Sequence, residues 1–171
     1  MPFNIKQFFT KISSDEKQVK SHISISGLPI KAKNILIIFP IKKDFFRVAS
    51  YAYRNLPYDK DNIEFHYMVN SNYLEFFPIR KGFVYKMIFN NKLKIENKNE
   101  LAEALNNKKF DIIIDLNIEY ESSINSFIIN QDSNYKIGFK HNKSDLLYNV
   151  QLDISNSQIA ERGYKQILEL I

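Results

Sequence analysis

Three loops in this sequence carry side chains suited to binding or deprotonating a small polar ligand. Lys42, Lys43 and Asp44 follow an apolar run closed by Pro40. The lysine pair can hold a phosphate or carboxylate, or stay merely solvated, and an aspartate at that point can cap a helix. Asp115 and Asn117 close a second apolar run, where they can bind hydroxyl groups or simply start a turn. His141 and Lys143 lie in the polar stretch 140–145, able to add a polar contact to a cleft or to sit on a mobile surface loop. What is missing narrows the chemistry further. The chain has no cysteine, and its three histidines, His22, His66 and His141, show no ligand spacing. Thiol nucleophiles, disulfides and iron–sulfur sites are excluded, and no metal site is expected. Gly27, Gly82, Gly138 and Gly163 form neither GxGxxG nor GxxxxGK, so no phosphate-cradling loop and no bound cofactor are expected, which weakens a reading as a stand-alone nucleotide binder.

For these loops to meet, the segments between them must build a sheet that gathers them at one edge. From Asn34 onward, apolar runs alternate with helical patterns. Ile35-Leu36-Ile37-Ile38-Phe39 is unbroken, the mark of a strand buried on both faces. After the loop, Phe45, Val48, Ala49, Ala52 and Leu56 keep helical spacing up to Pro57. Further strands are predicted over 63–69, 83–89, 110–116 and 135–139 and around 150–153, with helical segments over 72–77 and around 101–105 and 120–128. Asn90-Asn91 marks a turn. Ser155 and Gln158 have capping-box spacing before a last helix whose Ala160, Tyr164, Ile167, Leu168 and Ile171 share a face. The alternation implies an α/β fold with a Rossmann-like, doubly wound, mainly parallel six-stranded sheet. Ligands of such sheets bind beyond the carboxyl ends of the strands, here the loops near 40–44, 115–119 and 140–145.

Residues 1–33 read as a basic amphipathic arm and 34–171 as the globular domain. Lys and Arg number 24 against 19 for Asp and Glu, a net charge of +5. The arm alone holds six lysines against Asp15 and Glu16. Phe3 and the stripe Ile5, Phe8, Phe9 and Ile12 can rest on an anionic membrane surface, meet a partner, or dock on the protein's own sheet. Residues 23–28 alternate like a short edge strand. Arg47, Arg54, Arg80 and Arg162 are the only arginines, too few and too scattered for a cluster of guanidinium forks, which argues against a nucleic-acid partner. An AT-rich coding sequence would enrich lysine equally. With no apolar run of about 18 residues and no leading apolar stretch, a cytoplasmic protein is expected.

The order of these segments resembles the N-terminal domain of glycosyltransferase family 9, the lipopolysaccharide heptosyltransferases. Residues 34–39 followed by Asp44 and a helix are similar to the family's opening strand, aspartate-containing loop and first helix. The strand at 63–69, the turn through Pro78 and the strand at 84–89 match its next section in order and spacing. Phe110-Asp111-Ile112-Ile113-Ile114-Asp115-Leu116-Asn117 resembles its "YDLVIDLQ" segment, and Tyr135-Lys136-Ile137-Gly138-Phe139 its "RIGF" strand. The last helix, with Glu161, Arg162 and Leu168, looks like its "ERYLALL" segment. The likeness covers about residues 34–171.

That resemblance implies the acceptor half of a two-domain GT-B enzyme, with Asp44 matching the base that takes a proton from the acceptor hydroxyl. Lys42, Lys43, Asp115, Asn117, His141 and Lys143, read at the same sheet edge, are the candidate contacts to a saccharide or lipid-linked acceptor. Lys43 stands where the family has a glycine, in a loop about one residue shorter. The chain stops where the nucleotide-sugar domain of such enzymes begins, so the expectation is a protein without the donor half that does not transfer sugar alone. Its expected partners are a donor-domain protein or a second copy, and an anionic membrane at the inner face. The competing expectation is a non-enzymatic interaction or membrane-associated scaffold on the same fold.

Overall fold

The structure, a computed structural model, describes residues 32–56, 62–79, 81–155 and 159–171. The arm stripe from Phe3 to Ile12, the edge strand expected at 23–28 and Gln158 of the capping box lie outside the described residues. Six strands form one sheet: β1 (Asn34–Ile38), β2 (Glu64–Asn70), β3 (Phe83–Met87), β4 (Ile112–Asp115), β5 (Tyr135–Phe139) and β6 (Val150–Leu152). Their order is β3-β2-β1-β4-β5-β6. Every pairing is parallel. Among the described residues four helices, α1 (Lys43–Tyr53), α2 (Lys98–Asn106), α3 (Asn125–Asn130) and α4 (Ala160–Leu168), accompany it, and a 3-10 segment, Ser71–Phe76, follows β2. This is the Rossmann-like α/β fold that the alternation predicts. Strand order reverses at β1, so the loops after β1 and β4 flank the crevice where such sheets hold ligands.

The middle strand explains the two-layered core. Ile35, Ile37 and Phe39 join Ala49 and Tyr53 of α1 and Tyr164 and Ile167 of α4 on one face. Leu36 and Ile38 join Leu101 and Leu105 of α2 and Phe127 and Ile128 of α3 on the other. A strand covered on both faces has no solvent side, which is why the run is apolar without alternation. Each such side chain contributes about 1.5–3 kcal/mol by leaving water. At the amino end, the Lys33 and Asn34 amides donate to Asp111 Oδ2 at 2.7 and 3.0 Å, bonds that hold this carboxyl below its usual range.

Several details differ from expectation. Of the expected face of α1, Ala49 and Leu56 are buried, while Phe45, Val48 and Ala52 are only half-buried, and the helix buries Phe46, Ser50 and Tyr53 instead. Phe46 packs its ring against Phe39 and Tyr73, with centroids 5.9 and 5.0 Å apart. That phase brings a serine hydroxyl inside and leaves Phe45 half-buried. β3 ends at Met87, and Phe89 instead bridges antiparallel to Ile95, across a turn in which Asn90 Oδ1 accepts the Lys92 and Lys94 amides at 2.9 and 3.1 Å. α4 has Ile159 as its N-cap residue, so Ser155 does not cap it.

Candidate functional site

The carboxyl edge of the sheet is organised by one buried carboxylate. Asp115, at the end of β4, is 3% exposed. Its Oδ1 accepts from the Asn117 amide at 2.9 Å and from Asn117 Nδ2 at 2.7 Å, and its Oδ2 accepts from the Tyr148 hydroxyl at 2.7 Å. Asn117 Oδ1 in turn accepts the Ile41 amide at 2.9 Å. Three loops, those after β1, β4 and β5, are thereby joined through three side chains, Asn117, Asp115 and Tyr148. Burial pushes the Asp115 carboxyl up, opposed by the three donors. Burial and the neighbouring Asp115 charge push the Tyr148 hydroxyl up as well, so it stays a donor. Asp115 and Asn117 therefore sit beneath the edge and shape it, with every side-chain oxygen engaged.

Tyr148 reaches Asp115 because β5 has a glycine beneath it. A Cβ built on Gly138 would lie 2.5–2.6 Å from three atoms of the Tyr148 ring, closer than carbon atoms pack. Gly138→Ala is therefore expected to displace the ring and weaken its bond to Asp115, costing about 2–4 kcal/mol from overpacking and a lost charge-assisted hydrogen bond. Chemical denaturation of the two proteins measures this. An unchanged midpoint would show that Tyr148 shifts freely and does not fix the edge.

His141 and Lys143 are more ordered than a surface-loop reading implies. The imidazole lies edge-on to Tyr120 and Tyr148, with ring centroids 5.5 and 5.8 Å away. Its Nδ1 accepts the Lys143 amide at 3.1 Å. The buried Nε2 has no hydrogen-bond partner among the described residues. Burial lowers the His141 pKa, favouring the neutral ring. The Lys143 ammonium stands 4.4 Å above the Tyr120 ring, a cation–π contact that leaves the side chain exposed. Glu121, whose carboxyl burial raises, and Glu119 belong to the same loop.

The β1 loop places its three candidates unequally. Lys42 pairs with the Glu119 carboxylate, and that hydrogen bond raises its pKa. Lys42 is also the N-cap residue of α1, without a side-chain cap. Lys43 opens the helix and Asp44 follows as its second residue. The capping role expected of Asp44 is thus corrected, since a residue inside the first turn already has helical backbone. Its exposed carboxylate still lies at the positive end of the helix dipole.

Sequence reasoning missed Tyr148, Glu119 and Tyr120. The one available signal for Tyr148 was Gly138 inside an otherwise apolar strand, which marks a close approach. It also read the arginines as scattered, and the fold corrects this in part: Arg47 and Arg54 line one cleft with Lys43. Linear separation hid a shared helical face. His66, which showed no spaced partner, is buried, with Nδ1 3.1 Å from the Tyr85 hydroxyl and Nε2 2.7 Å from Glu64 Oε1.

No known family profile matches the chain, and no curated protein matches it in sequence. Solved structures do match. E. coli heptosyltransferase WaaC with ADP superposes with a TM-score of 0.59 at 16% identity, over 79% of this chain and 46% of that one. E. coli heptosyltransferase WaaC with ADP-2-deoxy-2-fluoro heptose gives 0.54 at 15% identity, over 79% and 47%. The chain thus spans about half the length of these neighbours. At such identity the likeness establishes architecture: this chain shares its Rossmann-like α/β fold with just under half of a heptosyltransferase.

Proposed function

We propose that the protein is a heptosyltransferase-like chain of glycan or lipopolysaccharide synthesis that holds a saccharide or lipid-linked acceptor at its carboxyl edge. The observation that carries this reading is the Asp115–Asn117–Tyr148 network, which ties three loops into one rim and leaves Lys43, Asp44 and Lys143 exposed along it. In this reading Asp44 takes the proton of the attacking hydroxyl. Lys43 and Lys143 attract an acceptor phosphate or carboxylate, and His141 Nε2 meets a hydroxyl. Transfer needs the nucleotide-sugar-binding half, for which the neighbours have length that this chain does not span. Among the described residues no helix is long and apolar enough to cross a membrane. The proposed setting is the cytoplasmic face, where a lipid-linked acceptor would be met.

The test is an amide-shift titration of the isotope-labelled full chain with a lipopolysaccharide-core saccharide that lacks heptose. Shifts at Lys43, Asp44, Asn117 and His141 are expected, with β3 silent. Saturating saccharide without shifts at this rim overturns the acceptor assignment. One observation favours a second reading, a non-enzymatic interaction scaffold. The outer strand β3, which has no second strand partner among the described residues, exposes Phe83 and Val84 by 49% and 40%, and a sheet edge with apolar side chains is a template for another chain. That reading predicts association through β3 and no saccharide response.

A further inference from the structure

Along the flank of α1, away from the sheet, a cleft of about 530 Å³ opens between the helix and the 3-10 segment. Lys43, Arg47, Ser50 and Arg54 line its helix side, at spacings of four, three and four residues that keep them on one stripe. Tyr73 and Phe76 form the facing wall. Two of the four arginines in the chain therefore look into one concavity. Among the described residues none of the three cations forms an ion pair. The Arg54 guanidinium lies 4.2 Å over the Tyr51 ring, which orients its fork at no cost in hydrogen-bonding capacity.

The second, independent observation is Ser50. It is 6% exposed, lines the cleft, and its buried Oγ has no hydrogen-bond partner among the described residues. Buried hydroxyls are normally paired, because an unmet donor costs the full loss of its hydration. A serine within a helix often bonds back to the preceding turn. This one does not among the described residues, and it lies on the same stripe of the helix as the three cations.

Three positive groups and a free hydroxyl donor beside an aromatic wall match one ligand chemistry. The guanidinium forks fit the paired oxygens of a phosphate, the hydroxyl donates to a third oxygen, and the rings cover an apolar or aromatic body. The volume falls within the range of small-ligand sites and exceeds what a bare anion fills. We infer that this cleft binds a phosphomonoester carried on an apolar or aromatic body. Nothing in this inference requires sugar transfer at the Asp44 rim, so the two can fail separately.

Calorimetry of the full chain with phenyl phosphate, inorganic phosphate and phosphatidylcholine vesicles doped with phosphatidic acid tests it. Phenyl phosphate is expected to bind about tenfold tighter than inorganic phosphate, the increment of roughly one well-buried apolar group. The double variant R47Q/R54Q, altered at two exposed positions, should fold normally and lose at least about tenfold in affinity. Ser50→Ala should lose about three- to tenfold. Vesicle binding that R47Q/R54Q abolishes would identify a lipid headgroup as the source of the phosphate, and binding of phenyl phosphate alone a free metabolite. Both outcomes support the site. No binding of any probe, or equal binding by R47Q/R54Q, overturns it.

Discussion

Asp44→Asn is expected to lower sugar transfer by about 10²–10⁴-fold in the presence of the donor-binding half, with the acceptor KM changed much less, because the proposed role is proton removal in the transition state. The substitution is almost isosteric and the side chain is exposed. Its loss to the fold is confined to the interaction of one charge with the amino end of α1, about 0.3–1 kcal/mol. A thermal melt on the same samples separates the two effects. Transfer at the wild-type rate by a folded variant would remove Asp44 from the chemistry and leave the acceptor rim to be tested by its own titration.

Asp115→Ala should be the most damaging single change to stability at the rim. It strips acceptors from the Asn117 amide, Asn117 Nδ2 and the Tyr148 hydroxyl together, in a site that water does not reach. Unsatisfied buried donors cost about 1–3 kcal/mol each and share part of that loss when they adjust together, so about 3–5 kcal/mol is expected. Urea denaturation at neutral pH checks it, as a lower midpoint at unchanged slope. Asp115→Asn is the informative companion, since it keeps one acceptor oxygen and has no ionisation to oppose. Burial raises the Asp115 pKa in the folded state. Its contribution to stability is therefore greatest below the unfolded value of about 3.9 and declines as pH rises through the folded value. The Asn variant should gain on the wild type as pH rises through that window. A difference that stays constant across it would show that Asp115 titrates alike in both states.

The two levels of this structure were legible to different degrees. The strands at 35–39 and 110–116 announced themselves by apolar runs. The run at 35–39 predicted a strand covered on both faces, and β1 is the centre of the sheet for that reason. Periodicity is a local property, and a buried strand expresses it within a few residues. Parallel order followed from the helical patterns between runs. The rim was less legible. Asp115 and Asn117 were visible as polar residues closing a strand, yet whether they face a ligand or hold a loop depends on Tyr148, 33 residues away. For α1, two adjacent phenylalanines made the phase ambiguous by one position, and the packing of Phe46 on Phe39 and Tyr73 decided it. That single-residue rotation also determines that Ser50 is buried.

The same sheet order constrains how the chain can come together. A parallel pair has no hairpin to start from, and the bond from the Asn34 amide to Asp111 joins residues 77 positions apart. The central strand gains its β4 neighbour only after more than half the chain exists. Until then Leu36 and Ile38 lack the Phe127 and Ile128 cover that encloses them in the finished core. Closure of such distant contacts is slow because the loop entropy is lost before the contacts form. During synthesis, the most hydrophobic stretch of the domain therefore emerges early and is enclosed late, which makes β1 the segment most exposed to chaperone capture or misassembly before the fold is complete.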